Sequence, residues 1–240
     1  MMAKTPVLWF AVGWLGWLSG IGVAWPANAE SQPFYENKAG LTDLKKEAAR
    51  GVAEAQHNLG VHYALGIGIK EPDFKQAADW FKKAAVQGHA AAQFRLASLY
   101  DSGNLGGKED AAQAVYWFGC AASNGVAEAQ YKMGTICLIN NQMAAALTWM
   151  HKAAEGATPV PDAQWQLAKI YQAMKNNVQY YRWTFIAAAY SQPDACLQVS
   201  RWGKYPVPQA EKQNWEDGKR QADEYLNNAS AKVRATLSTR

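Results

Sequence analysis

GVAEAQHNLGVHYALGIGIKEPDFKQAADWFKKAAVQGHAAAQ, residues 51–93, opens and closes on nearly the same phrase. GVAEAQ at 51–56 returns as GHAAAQ at 88–93 and again as GVAEAQ at 125–130, so Gly51, Gly88 and Gly125 stand 37 residues apart. A period of this size, with alanines and large apolar residues at fixed offsets, marks a solenoid of helix pairs, because each pair has an apolar face that it buries only against its neighbours. Within the first period, Ala55, Leu59 and Tyr63 recur at four-residue spacing and predict a helix A over about 53–65. Gly66 and Gly68 stop it, and Pro72-Asp73 opens a helix B at about 73–86 with a stripe of Ala77, Trp80, Phe81, Ala84 and Ala85. Gly88 is the C-cap candidate.

The next period answers in register. Ala92, Leu96, Ala97 and Tyr100 repeat the A stripe, and Ala114, Trp117, Phe118, Ala121 and Ala122 repeat the B stripe, with Gly103, Gly106 and Gly107 in the loop. A third unit has Ala129, Met133, Gly134 and Cys137, then Ala146, Trp149, Met150, Ala153 and Ala154; its turn is short and uses Asn140-Asn141. A fourth follows GATPVP at 156–161, with Ala163, Gln164, Leu167, Ala168 and Tyr171, then Tyr180, Trp183, Ala187 and Ala188. The small residues let helices approach closely, and the Trp and Tyr fill the space between units as core.

Outside the array, Thr42–Arg50 predicts a short leading cap helix with Leu44, Ala48 and Ala49 inward. From Ser191 the pattern breaks into SQPDACLQVSRWGKYPVP, read as turn-rich, and 209–227 predicts a closing cap helix sealed by Trp215 and Tyr225, followed by a frayed tail from Ala229. The expected organisation is thus a signal peptide at 1–29, an N-terminal segment and cap at 30–50, a repeat array at 51–190, and a linker, cap helix and tail at 191–240. The signal-peptide expectation comes from Lys4, the apolar run from Val7 to Trp25, the break at Pro26 and the small-x-small Ala27-Asn28-Ala29. It places the mature chain in the periplasm or outside the cell, or at the inner membrane if the segment stays as an anchor.

With 49% hydrophobic and 18% charged residues the chain reads as a folded domain, and 24 basic against 20 acidic residues, with no dense Lys/Arg stripe, argue against a nucleic-acid partner. Cys120, Cys137 and Cys196 are an odd number without CxxC or metal spacing. Cys120 and Cys137 read as small buried hydrophobes, with a disulfide between them as the alternative.

The pattern GVAEAQxxLGxxYxxGxG…DxxxAxxWxxKAAxxG resembles the Sel-one-like repeat, a relative of the tetratricopeptide repeat. Lys82, Lys83 and Lys152 keep the family's Lys before the double alanine, and Cys120 replaces it in the second unit. The resemblance implies an all-α, right-handed α/α superhelical solenoid of about four helix-pair repeats with a C-terminal capping helix. It also implies a non-catalytic adaptor that holds a partner protein or peptide, in exported bacterial members within the envelope. A cysteine-rich branch of the family has been linked to penicillin binding and β-lactam hydrolysis. Its paired cysteines are absent here, so that activity is not carried over.

The residues themselves offer little chemistry. His57, His62, His89 and His151 match no metal spacing, and no GxSxG, paired SxxK or phosphate loop occurs. The expectation is no catalytic residue, no cofactor and no metal. The candidate partner contacts are the polar positions of helix A off the main stripe, Asn58, His62, Arg95 and Lys132, with the loops at 64–72 and 101–109 second. Two other readings stand beside the adaptor: an envelope hydrolase acting on peptidoglycan-like or β-lactam substrates, which needs a clustered nucleophile and base, and a self-associating structural element.

Overall fold

The computed structural model describes residues 38–69, 71–105, 110–205 and 207–238; the expected signal peptide at 1–29 lies outside them. Among the described residues the chain is all-α, without a strand. The helices are α1 (Lys38–Ala49), α2 (Ala53–Leu65), α3 (Phe74–Val86), α4 (Ala90–Asp101), α5 (Ala111–Ser123), α6 (Ala127–Ile139), α7 (Met143–Glu155), α8 (Pro161–Ala173), α9 (Asn177–Ala189), α10 (Pro193–Lys204) and α11 (Lys212–Ser238). Consecutive helices pack on one another from α1 to α10, and α11 returns onto α9. This is the expected helix-pair solenoid closed by a capping helix.

Local chemistry sets the boundaries. Asp73, Asp110 and Asn176 cap α3, α5 and α9 by accepting the backbone N–H three residues on, from Gln76, Gln113 and Gln179. The turns between units need a left-handed residue, and Gly51, Gly88 and Gly125 supply it at φ 94°, 87° and 87°. Where the turns lack glycine, Asn141, Lys175 and Ser191 take φ 57°, 57° and 64° instead.

The core follows the repeat. Ala55, Leu59, Ala92, Leu96, Ala97, Ala129, Ala163, Leu167 and Ala168 are buried along the A helices, and Phe81, Phe118 and Met150 fill one register position of the B helices. The repeat tryptophans differ: Trp117 and Trp183 are buried, while Trp80 and Trp149 are half-covered. Lys83 lies 3.7 Å from the Trp80 ring centroid and Lys152 4.5 Å from that of Trp149, so the Lys three residues on shields the exposed indole by a cation–π contact. Cys120 takes that place in the second unit, where Trp117 is already buried. Cys120, Cys137 and Cys196 are all free thiols.

The glutamine of GVAEAQ joins one unit to the next. Gln56, Gln93 and Gln130 donate through Nε2 to the carbonyls of Ala48, Ala85 and Ala122, each eight residues earlier at 3.1 Å. Gln164 reaches the Ala154 carbonyl at 3.2 Å. These buried amides satisfy carbonyls at helix ends, where intrahelical partners run out. The Gln93 Oε1 also accepts from Asn124 Nδ2 at 2.8 Å. Gln93→Leu is expected to cost about 1 kcal/mol in urea denaturation, since it removes both bonds while Ala85 keeps a backbone donor in Gly88; an unchanged midpoint would deny the amide this role.

Three sequence expectations need correction. Ala49 is exposed rather than turned inward, because α1 ends there and its inward face is made by Leu41, Leu44 and Ala48. The stretch after Ser191, read as turn-rich, forms α10. Pro193 occupies the first helical position, where its missing N–H costs nothing, and Gln192 caps Ala195 at 2.7 Å. Ala195 is buried and Cys196 Sγ donates to the Ala188 carbonyl eight residues earlier, the link made elsewhere by glutamine. α10 therefore sits as one more A helix. The tail expected to fray from Ala229 continues α11 to Ser238.

α11 is the closing element. Trp215 packs on Phe185 at 5.6 Å between centroids, and Tyr225 lies 6.2 Å from Trp183 while donating its hydroxyl to the Ala154 carbonyl. Tyr181 donates to Glu211 at 2.5 Å at the start of the return.

Candidate functional site

The A helices carry one polar row. Asn58, Arg95 and Lys132 hold the same register on α2, α4 and α6, each 37 residues from the next. Their settings differ. Asn58 is buried, accepts at Oδ1 from His57 Nδ1 at 3.1 Å and donates to Glu54 Oε1 at 3.4 Å. Arg95 is half-buried, and burial pulls its guanidinium down to about 10 against the opposing pull of the Glu128 carboxylate. Lys132 is exposed and pairs with Asp101 at 3.0 Å, bridging α6 to α4. The fourth candidate, His62, is 3% exposed, with Nδ1 3.1 Å from the Ile67 carbonyl, and so lies under the turn that follows α2.

Two other groupings were not apparent from spacing. On the third unit a surface cleft is lined by Gln130 of α6, His151, Lys152 and Glu155 of α7, and Gly156 and Thr158 of the segment that follows. His151 contacts Glu155 through Nδ1 at 3.1 Å and the Tyr171 hydroxyl through Nε2 at 3.0 Å, with its ring edge against Trp183. At the junction of the first and second units, Glu54 and His57 of α2 meet His89, the residue before α4. His89 Nε2 lies 2.8 Å from Glu54 Oε2, while its Nδ1 accepts the Ala92 N–H at 3.2 Å and caps α4. The His57 and His89 rings stack at 4.7 Å with 18° between planes. Burial pushes His57 down to about 4, reinforced by His89 and opposed by the Asn58 bond and the Glu54 charge. The Glu54 carboxyl is held below its usual range by the hydrogen bond from His89.

The sequence reading passed over this cluster because no motif spacing joins residues of different repeats. The signal was nonetheless present in the register. The position of His57 is Phe94, Tyr131 and Trp165 in the other units, and the position of His89 is Val52, Val126 and Val160. Both histidines depart from an otherwise apolar or aromatic column.

Among the described residues, no helix is long and apolar enough to cross a membrane. The Sel1 repeat family matches residues 53–89, 90–126 and 127–157. No curated protein sequence matches the chain. Among solved structures, the chain is similar to a Sel1 repeat protein from Oxalobacter formigenes, with 24% identity over 78% of this chain and 81% of that one and a TM-score of 0.63. It is also similar to c5321, a protective antigen of uropathogenic Escherichia coli strains displaying an SLR fold, with 20% identity over 83% of this chain and a TM-score of 0.51. The match covers 51% of c5321, so the chain spans about half the length of that antigen. At these identities the likeness is one of fold. Residues 53–157 thus carry three successive Sel1 repeats, and the helix-pair solenoid they build is a fold known as a scaffold for protein–protein interaction.

Proposed function

We propose that this protein is an exported adaptor of the bacterial envelope that holds a segment of a partner protein along the polar row of its A helices, with Arg95 and Lys132 as the principal contacts. The observation that carries this reading is the division of labour within each repeat. Alanines, leucines and aromatics are consumed in helix packing, whereas the register of Asn58, Arg95 and Lys132 changes identity from unit to unit. A solenoid binds through such non-repeating positions, because the repeating ones are buried between neighbours. Asn58 supports the row by orienting Glu54 and His57, and His62 supports the turn after α2. The mild excess of basic residues and the two cationic contacts favour an acidic segment in the partner. Export is supported by the apolar run from Val7 to Trp25 and the small-x-small Ala27-Asn28-Ala29 that follows it.

The test is capture from envelope fractions by the chain starting at Glu30. Arg95→Glu and Lys132→Glu are expected to abolish recovery of the partner together while leaving the helical circular dichroism signal intact. Recovery that survives both reversals would move the binding surface elsewhere, and recovery of only the chain itself would favour self-association.

A further inference from the structure

We propose that Glu54, His57 and His89 form a divalent transition-metal site, best suited to Zn²⁺, that joins the first repeat to the second. Their donor atoms, one from each residue, lie within 4.8 Å of one another. The set is two imidazole nitrogens and a carboxylate oxygen, which is the donor chemistry of a three-ligand zinc site with its fourth position open to water. Glu54 and His57 are three residues apart on α2 and so share a face; His89 enters from the next unit as the residue that caps α4.

Three observations separate this cluster from an accidental histidine pair. First, His57 and His89 each replace a residue that is aromatic or Val in the other units, and the two replacements meet at one point. Packing does not require them: His57 sits 5.8 Å from Phe81, the same separation at which Phe94 sits from Phe118 one unit later. Second, the His57 tautomer is set. Glu54 accepts from Asn58 Nδ2, which turns Asn58 Oδ1 toward His57 and keeps the proton on Nδ1. Nε2 is left as a lone pair, buried and without a hydrogen-bond partner. An imidazole whose second nitrogen is fixed by a side-chain amide has the arrangement found in metal-ligating histidines. Third, a proton already bridges His89 Nε2 and Glu54 Oε2 at 2.8 Å, in the place where a cation would bridge them.

Loading follows from this geometry. Zn²⁺ holds its ligand atoms about 3.3 Å apart at its usual bond lengths, so the two rings turn out of their stack to converge on it. The single proton of neutral His89 leaves Nε2, where it bridges to Glu54, and is carried on Nδ1 instead, so that Nε2 is free to ligate and the ring releases no net proton. The Ala92 N–H then loses its cap, so loading reports at the start of α4. Arg95 adds a positive charge near His57 and Glu54 opposes it, which points to an affinity below that of a buried four-ligand site.

The experiment titrates Zn²⁺, and in parallel Co²⁺, into the purified untagged chain by calorimetry and visible absorption. One high-affinity site is expected, with the absorption of tetrahedral Co²⁺. His57→Phe, which copies Phe94, and His89→Asn, which keeps a capping side chain, are each expected to weaken binding by about ten-fold or more. Their circular dichroism is expected to be unchanged. Glu54→Gln is expected to act in the same direction. Stoichiometric binding that persists in the His57→Phe/His89→Asn double variant, or binding by the parent chain no stronger than by that variant, would overturn the assignment.

Discussion

Gly218→Ala is expected to destabilise the chain by about 2 kcal/mol and to loosen the closing helix before the rest of the array. Gly218 is buried in α11 where that helix crosses α9. A Cβ there would stand 2.6 Å from Tyr181 Cβ, 2.7 Å from the Val178 carbonyl oxygen and 2.9 Å from the Arg182 nitrogen. Two of these three atoms are backbone, so no rotamer change relieves the overlap and the two helices must move apart. Overpacking of this kind costs up to about 3 kcal/mol, and the better helix propensity of alanine returns only about 1 kcal/mol. Separation of α11 would uncover Trp183, which Tyr225 covers at 6.2 Å, so tryptophan fluorescence should shift before global unfolding. Gly134 gives the contrast. A Cβ at that position meets Met150 Cε, Cγ and Sδ at 2.9–3.1 Å, an unbranched side chain that can swing aside. Gly134→Ala is therefore expected to be close to neutral. Equal losses at the two positions would show that backbone approach is not what places α11.

Metal-free protein, kept so by a chelator, is expected to lose about 3 kcal/mol of stability as pH falls from 6.5 to 4. His57 is neutral in the folded chain down to about 4, whereas in the unfolded chain it protonates near 6.5. A histidine whose folded value is depressed contributes its full stability above the unfolded value. That contribution is lost as pH falls, because the unfolded chain binds the proton first. Glu54, also held low in the fold, acts in the same direction and extends the loss to lower pH. His57→Phe should flatten the profile between 6.5 and 4, leaving the part owed to Glu54. Urea denaturation across that range checks this; parallel profiles for parent and variant would show that His57 is already solvated in the fold.

Much of the architecture was legible in the residues because a repeat prints its own register. The return of GVAEAQ, the alanines at fixed offsets and the repeat glycines placed the ends of α2 and α3 to within a residue and put the stripes of the later units on α4 to α9. Even the short turns without glycine were readable, Asn141 taking the left-handed geometry that asparagine tolerates. α10 escaped because its signals invert the usual ones. Pro193 starts the helix instead of breaking it, and Cys196 replaces the glutamine that would have announced another unit. Among the candidate contacts, helix register put Asn58, Arg95 and Lys132 in one row, but it could not say how deep each would lie.

The sequence by itself determined the repeating unit, its apolar faces and its turns, since these depend on residues close together in the chain and on a period that recurs. Only the tertiary structure decided which repeat tryptophans are sealed: of the two buried ones, Trp183 lies under Tyr225 of α11, which folds back over α9. It also decided that Glu54, His57 and His89 share one point in space. Glu54 and His57 sit on α2 while His89 opens the next unit, and only the stacking of one unit on the next, helped by the buried glutamine amides, brings their side chains within reach.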